Sequence, residues 1–424
     1  MIEAFLNKLR LVLEDRGLRN RILFVVGALF LFRLGASIPI PGVNVVALEK
    51  FLSNNQFFGL LNIFSGGGLS NLSIMMLGVG PFITASIIFQ LLTLIFPSFK
   101  QMYHEEGAAG RRKMAQYSRL LTVPLCFVQG FSLLVLLERQ GVLLPLTFFD
   151  QLLNVIVVTA GSMLLMWLGE LITEYGIGNG VSLLIFAGIV SRLPEVVSQI
   201  WITGDVSMAP MYLAFSVAAV LILGAIVFIT EAERPIPVTY AKRVRGMKVY
   251  GGTSTYLPIR VNNAGVMPII FAISIILFPQ MIANFLSSTG GASVKMVADA
   301  VTAFLNNSWA YGILYFFLVV VFTYFYSAVT FDPQAISENL QKNGAFIPGV
   351  RPGHSTAEYI GNILTRLTLI GALFLGVVAL LPIILQHVTG LASLAIGGTS
   401  LLIVVSVIIE FIKQINAQIS MREY

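Results

Sequence analysis

Ten apolar runs, each long enough to cross a bilayer as a helix, constrain this chain more than any other feature. They begin near Ile22, Ile74, Leu120, Leu152, Ile177, Met211, Asn262, Trp309, Leu367 and Ser393. A helix needs about 20 apolar residues to traverse the hydrocarbon core. With 57% hydrophobic and only 11% charged residues, the chain lacks the polar surface of a soluble domain. Backbone groups in lipid must be satisfied within their own segment, so the sequence predicts an all-α membrane protein of ten transmembrane helices and not an open sheet.

Lys and Arg placement sets the orientation, because basic residues in short loops stay on the cytoplasmic side. With both termini inside, 21 of the 26 basic residues lie in inner segments; only Arg33, Lys50, Arg139, Arg192 and Lys295 fall at or beyond the outer face. Ten spans divide as five plus five, and an odd number per half inverts the second half relative to the first. The expected layout is a cytoplasmic amphipathic segment (1–21), an N-terminal half (22–195), an external hinge loop (196–210), a C-terminal half (211–412) and a cytoplasmic tail (413–424). Within the first segment Ile2, Phe5, Leu6, Leu9, Val12 and Leu13 recur at helical spacing. That pattern fits a helix in the membrane interface and equally a simple topogenic lead-in. No small-residue cleavage site follows the run at Ile22, so this segment is expected to remain in the mature chain.

The eight residues from Gly78, GVGPFITA, return from Gly265 as GVMPIIFA, identical at five positions. Each copy opens the second run of its half, and Gly with Pro at matched points of two halves points to a midplane functional site. Counted from the starts of their runs at about 1.5 Å per residue, Ile83 and Ile270 are expected about 12 to 14 Å deep in a core of about 30 Å. Val79 lies four residues before Ile83, Val181 and Ile185 repeat that spacing in the fifth run, and Ile403 is about halfway down the tenth. An uncharged interior is either a solid bundle or a pore closed by aliphatic side chains that gate by dewetting. For any single one of these residues, ordinary helix packing is the simpler reading.

Several function classes lose support. A charge at the bilayer centre costs about 2.5 to 3.5 kcal/mol on the insertion scale and therefore marks a pathway where it occurs. Here Arg33, Glu170, Glu231, Arg366 and Glu410 all sit near run ends. That argues against an ion-coupled secondary transporter, which stays open as an alternative beside a non-conducting membrane scaffold. No Ser/His/Asp or paired-carboxylate arrangement shares a depth, so no catalytic residue is nominated and no enzyme is expected. Cys126 is alone, which excludes an intrachain disulfide and reads as packing; His104, His354 and His387 occupy separate loops, so neither a metal nor any cofactor is expected. The GIGNG run from Gly176 has no βαβ unit around it and is rejected as a nucleotide loop; it reads as a freed start to the fifth span.

Three stretches are more than connections. SGGGLSNLS, from Ser65 to Ser73, is too polar to span, and its glycines make a hinge from which a half-helix folds back into the bundle, or else a flexible outer loop. The cytoplasmic segment of about 231–262 carries Arg234, Lys242, Arg243, Arg245, Lys248 and Arg260. Its β-branched and aromatic runs at Ile236–Val244 and Ser254–Val261, with Gly246, Gly251 and Gly252 between them, predict a projecting hairpin. The segment of about 331–362 contains FIPGVRPGHSTAEY, a rigid turn that holds Arg351 out at a loop tip for a partner.

These motifs, taken with TEYGIGNGVSLLIFAGIV from Thr173, STYLPIRVNNAGVMPIIFA from Ser254 and GGTSLLIVVSVIIE from Gly397, resemble the SecY/Sec61-alpha family over essentially the whole chain. The resemblance implies a protein-conducting channel that passes unfolded preproteins with signal sequences across the bacterial cytoplasmic membrane and releases transmembrane segments sideways into membrane lipid. It implies an hourglass pore between two inverted five-helix halves, with a waist of Val79, Ile83, Val181, Ile185, Ile270 and Ile403. Two of these are Val where the family has Ile, which implies a slightly looser seal. It also implies a plug half-helix (about 62–74) including Ser65, Gly66, Gly67, Gly68, Leu69, Ser70, Asn71, Leu72 and Ser73. On the same resemblance the lateral gate carries Ser86, Gln90, Gln129, Asn262 and Phe278. Arg243, Arg245, Lys248, Arg351, Pro352 and Tyr359 would contact the SecA motor ATPase or ribosomal RNA of the ribosome. SecE and SecG are the implied membrane partners.

Overall fold

The computed structural model describes residues 14–44, 47–48, 62, 65–104, 106–191, 194, 198, 209–241, 243–245, 248–250, 254–289, 292–389 and 397–420. Residues 2–13, Gly246, Gly251, Gly252 and nearly all of the expected hinge loop lie outside them. The chain packs as two compact units, one of Met1–Pro210, Ser274–Ser308 and Leu385–Tyr424, the other of Met211–Ile273 and Trp309–Ile384.

In the first unit, α1 (Arg16–Ala36) starts where the Asp15 carboxylate accepts from Gly17 N at 2.8 Å, satisfying a donor that the helix itself leaves free. Next in the chain are α2 (Gly80–Ile95), α3 (Pro97–His104), α4 (Gly107–Arg139), α5 (Phe148–Tyr175) and α6 (Gly180–Val190). Thr147 and Asn179 cap α5 and α6 in the same manner. The α4 helix packs on α2 and α5, and α1 packs on α5. Arg119 of α4 meets Glu170 of α5 at 2.7 Å.

The second unit opens with α7 (Ala209–Glu231), most of which belongs to it, then β1 (Glu233–Tyr240), β2 (Arg243–Arg245), β3 (Lys248–Tyr250) and β4 (Ser254–Arg260). Next come α8 (Met267–Thr289), whose first seven residues belong here, and α9 (Ala292–Asn306), which lies in the first unit. The chain then forms α10 (Ser308–Thr330), α11 (Pro333–Lys342), β5 (Ala345–Phe346), α12 (His354–Thr389) and α13 (Gly397–Ser420). The α13 helix packs on α6 within the first unit.

Each of the ten apolar runs carries one helix. Five stretches of the described residues are long and apolar enough to cross a membrane: Ala109–Arg139, Phe148–Tyr175, Ser308–Lys342, His354–Leu381 and Ser400–Ile419. The fold is therefore a mostly helical membrane protein, not an all-α one. The expected hairpin exists, with β1 and β4 antiparallel from Glu233↔Arg260 to Thr239↔Ser254, and a smaller β2–β3 hairpin at its end. A strand the sequence did not reveal, β5, pairs with Thr239 and Tyr240, so the segments of about 231–262 and 331–362 share one sheet of order β4-β1-β5. Pro235 and Pro237 are tolerated in β1 because β5 stops short of them, leaving that edge without a ladder to break.

Two further expectations are corrected. Residues 65–79 form successive turns, not a half-helix: Gly66, Gly67 and Leu72 have φ of 64°, 84° and 40°, which no right-handed helix accommodates. The helices of the second, fifth and seventh runs, α2, α6 and α8, also begin three to six residues later than those runs, at Gly80, Gly180 and Met267.

Candidate functional site

The two Gly-Val-x-Pro copies have the same local structure. Gly78 and Gly265 take φ of 61° and 60°, conformations that favour glycine, and each helix starts at the residue before its proline. A proline in the first turn sacrifices no intrahelical bond, since the N–H it lacks would be unpaired there. In each copy the valine carbonyl then accepts from the isoleucine four residues on: Ile83 N to Val79 O at 3.1 Å, and Ile270 N to Val266 O at 3.3 Å. Ile83 and Ile270 thus lie in the first turn of α2 and α8, about 5 Å from the helix start at 1.5 Å per residue. The depth worked from the run starts does not hold as helical rise, because the preceding residues are turns.

Five of the six expected waist residues lie in the first unit and Ile270 in the second. Val79, Ile83, Ile185, Ile270 and Ile403 are buried, at 1 to 6% exposure. Val181 is half-buried, and its methyl would stand 3.2 Å from a Cβ placed on Gly169 of α5. Ile403 is the seventh residue of α13, which begins at Gly397 and continues to Ser420. In the second unit, Phe271 sets its ring edge against Phe322 at 90° and against Tyr326, fixing the start of α8 on α10. In the first, buried Ser162 of α5 donates to the Gly78 carbonyl at 2.7 Å and pins the turn before α2.

The Gly-rich segment is held by its own polar groups. Gly67 N donates to the Asn62 carbonyl and Ser70 N to the Asn62 side-chain oxygen, at 2.9 and 3.0 Å. Leu69 N donates to Ser65 Oγ and Ser70 Oγ to the Gly67 carbonyl. Ser65, Gly66, Gly67, Gly68, Leu69, Leu72 and Ser73 are buried, Ser70 is half-buried and Asn71 is exposed. Its far end is fastened to the chain after α1 by Ile40 N to Leu72 O at 2.9 Å and Ile74 N to Ile38 O at 3.0 Å.

Of the expected gate residues, Ser86 and Gln90 are half-buried on α2, and Gln129 is buried on α4. Gln90 Oε1 is buried without a hydrogen-bond partner among the described residues. Asn262 donates from Nδ2 to the Gly265 carbonyl at 3.2 Å, a bond within its own turn, and its Oδ1 is likewise buried and unpartnered. Phe278, in the part of α8 that belongs to the first unit, lines an apolar cavity of about 650 Å³ with Ile282, Leu286 and, from α9, Val297.

In the second unit, Ile236, Val238 and Ile259 of the sheet, Ala345, Ile347 and Ile360, Ile363, Leu364 and Leu367 of α12 form one buried core. Over it the loop bearing Arg351 is clamped at both ends. Thr356 Oγ1 donates to the Arg351 carbonyl at 2.8 Å, and buried Ser337 of α11 donates to the Gly353 carbonyl at 2.7 Å. Arg351, Pro352 and Tyr359 are exposed on this scaffold. The backbones of Arg243, Arg245 and Lys248 lie in the β2–β3 hairpin. Ser162, Ser337 and Thr356 were not foreseen; each binds a carbonyl, a role with no side-chain pattern to mark it.

Comparison with known proteins agrees with this architecture. The SecY family profile matches residues 73–412. The chain is similar to the protein translocase subunit SecY of Mycobacterium bovis, 42% identical over 445 aligned positions that cover 100% of this chain and 99% of the relative. A solved protein-conducting channel matches it with a TM-score of 0.65 at 20% identity, covering 93% of this chain and 91% of that one. Sec61 in the canine ribosome-channel complex from the endoplasmic reticulum matches with a TM-score of 0.60 at 18% identity, covering the same shares of the two chains.

Proposed function

The chain belongs to the SecY family, a non-enzymatic protein-conducting channel subunit of the Sec translocon, and from that premise we propose how its own residues do the work. The six aliphatic side chains Val79, Ile83, Val181, Ile185, Ile270 and Ile403 act as the collar of an hourglass pore between two inverted halves of five spans. They exclude water and ions by dewetting when no polypeptide is present. The repeated Gly-Val-x-Pro turn carries this reading: it starts two helices at equivalent residues and puts an isoleucine in the first turn of each.

An unfolded preprotein has backbone N–H and C=O groups that lipid cannot satisfy, so it needs an aqueous route. A signal sequence gains by leaving that route, since each central Leu, Ile or Phe contributes about −0.3 to −0.6 kcal/mol on the insertion scale. We assign the sideways exit to helices bearing Ser86, Gln90, Gln129, Asn262 and Phe278. The unpartnered oxygens of Gln90 and Asn262 support this, because a buried acceptor without a donor costs about 1 to 3 kcal/mol and favours movement that supplies one. Residues 65–73 serve as the plug.

Both termini and the β-sheet segment face the cytoplasm of a bacterium, with all ten apolar runs spanning its inner membrane. There Arg351, Pro352 and Tyr359, with Arg243, Arg245 and Lys248, contact the SecA motor or the ribosome; cations close to RNA phosphates bind by releasing counterions. SecE and SecG complete the channel in the lipid. Replacing Ile83 and Ile270 by Asn tests the collar in planar bilayers of the purified complex. Resting ion conductance and export of proteins with defective signal sequences should both rise; unchanged conductance would favour a non-conducting scaffold.

A further inference from the structure

We propose that Gly188 of α6, with Phe32 and Arg33 of α1, forms a latch that holds the 65–73 segment in the closed channel. The proposal rests on reading that segment as the plug, and it identifies where the plug is released and what its release is coupled to. Gly66 is clamped from two sides. A methyl group placed on Gly188 would overlap the Gly66 Cα, and one placed on Gly66 would overlap the buried Phe32 ring. Backbone meets backbone at Gly188 with no space for a side chain between them.

The polar contacts divide into strong and weak in a way that fits a hinged body. Bonds inside the segment run from 2.7 Å, Ser70 Oγ to Gly67 O, to 3.2 Å, Gly68 N to Ser65 O. The far end at Leu72 and Ile74 is fastened by two backbone bonds of 2.9 and 3.0 Å. By contrast, Arg33 Nη1 reaches the Gly66 carbonyl at 3.4 Å and Asn71 Nδ2 reaches the Ala36 carbonyl at 3.4 Å, both at the long limit of useful geometry. The segment is thus bonded within itself and fastened at residues 72–74, while its polar hold on α1 through Arg33 and Asn71 is weak and its close packing is at Gly66.

Gly188 also stands seven residues after Val181 and three after Ile185, so the three share one face of α6. A displacement of α6 that moves Val181 and Ile185 aside carries Gly188 with it. Opening of the collar and release of the plug become a single event transmitted by that helix.

The test uses the complete channel complex, purified with its native partner subunits and reconstituted in liposomes, and reads resting anion leak. In parallel, cells carrying each variant report export of a reporter with a defective signal sequence. Gly188→Val should raise the leak about tenfold or more, since overpacking displaces the backbone it meets. Arg33→Gln should raise it roughly twofold to tenfold, the worth of one net hydrogen bond, with Arg33→Lys returning most of the seal. Gly224→Ala, which has no neighbour within 4 Å, should leave both readouts unchanged. Leak in Gly188→Val and Arg33→Gln supports the latch. If Gly188→Val does not accumulate, the exposed Arg33 decides alone. A wild-type seal in Arg33→Gln beside a leaking Ile83→Asn overturns the latch only. Silence in all of them, Ile83→Asn included, overturns the channel reading beneath it.

Discussion

Ile360 has no exposed surface and belongs to the core joining the β4-β1-β5 sheet to α12, so Ile360→Ala isolates the contribution of that core to holding the Arg351 loop. Removing a buried isoleucine side chain to alanine costs about 2 to 5 kcal/mol, the larger values applying where neighbours cannot close the cavity. Here the neighbours are two ordered strands and a long helix, which relax little, so the loss should not fall below about 2 kcal/mol. At about 1.4 kcal/mol per decade, the locally opened form rises at least roughly 30-fold. Trypsin reads this directly. Arg260 forms the end pair of the β1–β4 ladder with Glu233, and Val261 N donates to the Ala232 carbonyl at 2.9 Å, so the Arg260–Val261 bond must leave the sheet before a protease can accommodate it. Cleavage there tracks the opened population when reclosing is faster than cutting. The initial rate at Arg260 in membranes should therefore rise at least roughly 30-fold, with resting ion leak unchanged because none of the six proposed collar residues belongs to this core. Cleavage within about threefold of wild type would show that the ladder is held without this core. The argument that the core positions Arg351 would then fail.

Two further outcomes are expected. Arg351→Glu should abolish motor-driven secretion while the protein accumulates normally, because the loop is fixed by Ser337 and Thr356 and not by the guanidinium; normal export in inverted vesicles would remove Arg351 from the contact surface. Ser162→Ala deletes the buried bond to the Gly78 carbonyl and should cost about 1 to 3 kcal/mol, read as a lower unfolding midpoint of the solubilised complex together with a raised resting leak, and an unchanged midpoint would show that the turn is held without it.

Much of this fold was legible because hydropathy reports the solvent that a segment meets, and each of the ten apolar runs does carry a helix. Hydropathy does not report where within a run the helix starts. Ile74 to Val79 is as apolar as the start of α2, yet it is a chain of turns, since Gly78 takes a positive φ and Pro81 suits the first helical turn. The signal was present in Gly and Pro; reading them as interruptions instead of a starting point put Ile83 too far along its helix. The shape of residues 65–73 was misread for a related reason. Three consecutive glycines announced a bend, but only the φ values of Gly66, Gly67 and Leu72 exclude a half-helix. Other features had no local signal at all. β5 is two residues long and exists because Thr239 and Tyr240, more than 100 positions earlier, offer it an edge. Ser162 reaches Gly78 across 84 positions. Partners at such separations are set by packing, which a single sequence does not encode in any periodic form.

The late helix starts have a physical consequence for a channel. With 16 and 11 residues, α2 and α6 are about 24 and 17 Å long, short of a core of about 30 Å. The turns that precede α2 supply the remaining length, and non-helical backbone at such depth is tolerated only where protein covers it. That condition holds here: Leu69, Leu72, Met75, Met76 and Leu77 are all at most 3% exposed. Each buried turn therefore places a helix N-terminus inside the protein, with the first-turn residues Ile83 and Val181 projecting from it. A residue in the first turn moves whenever the turn before it moves. Aliphatic side chains set at helix starts, downstream of glycine turns that tolerate reorientation, can be withdrawn by a local change of φ and ψ without bending a helix. The same residues placed mid-helix would need the whole span to tilt.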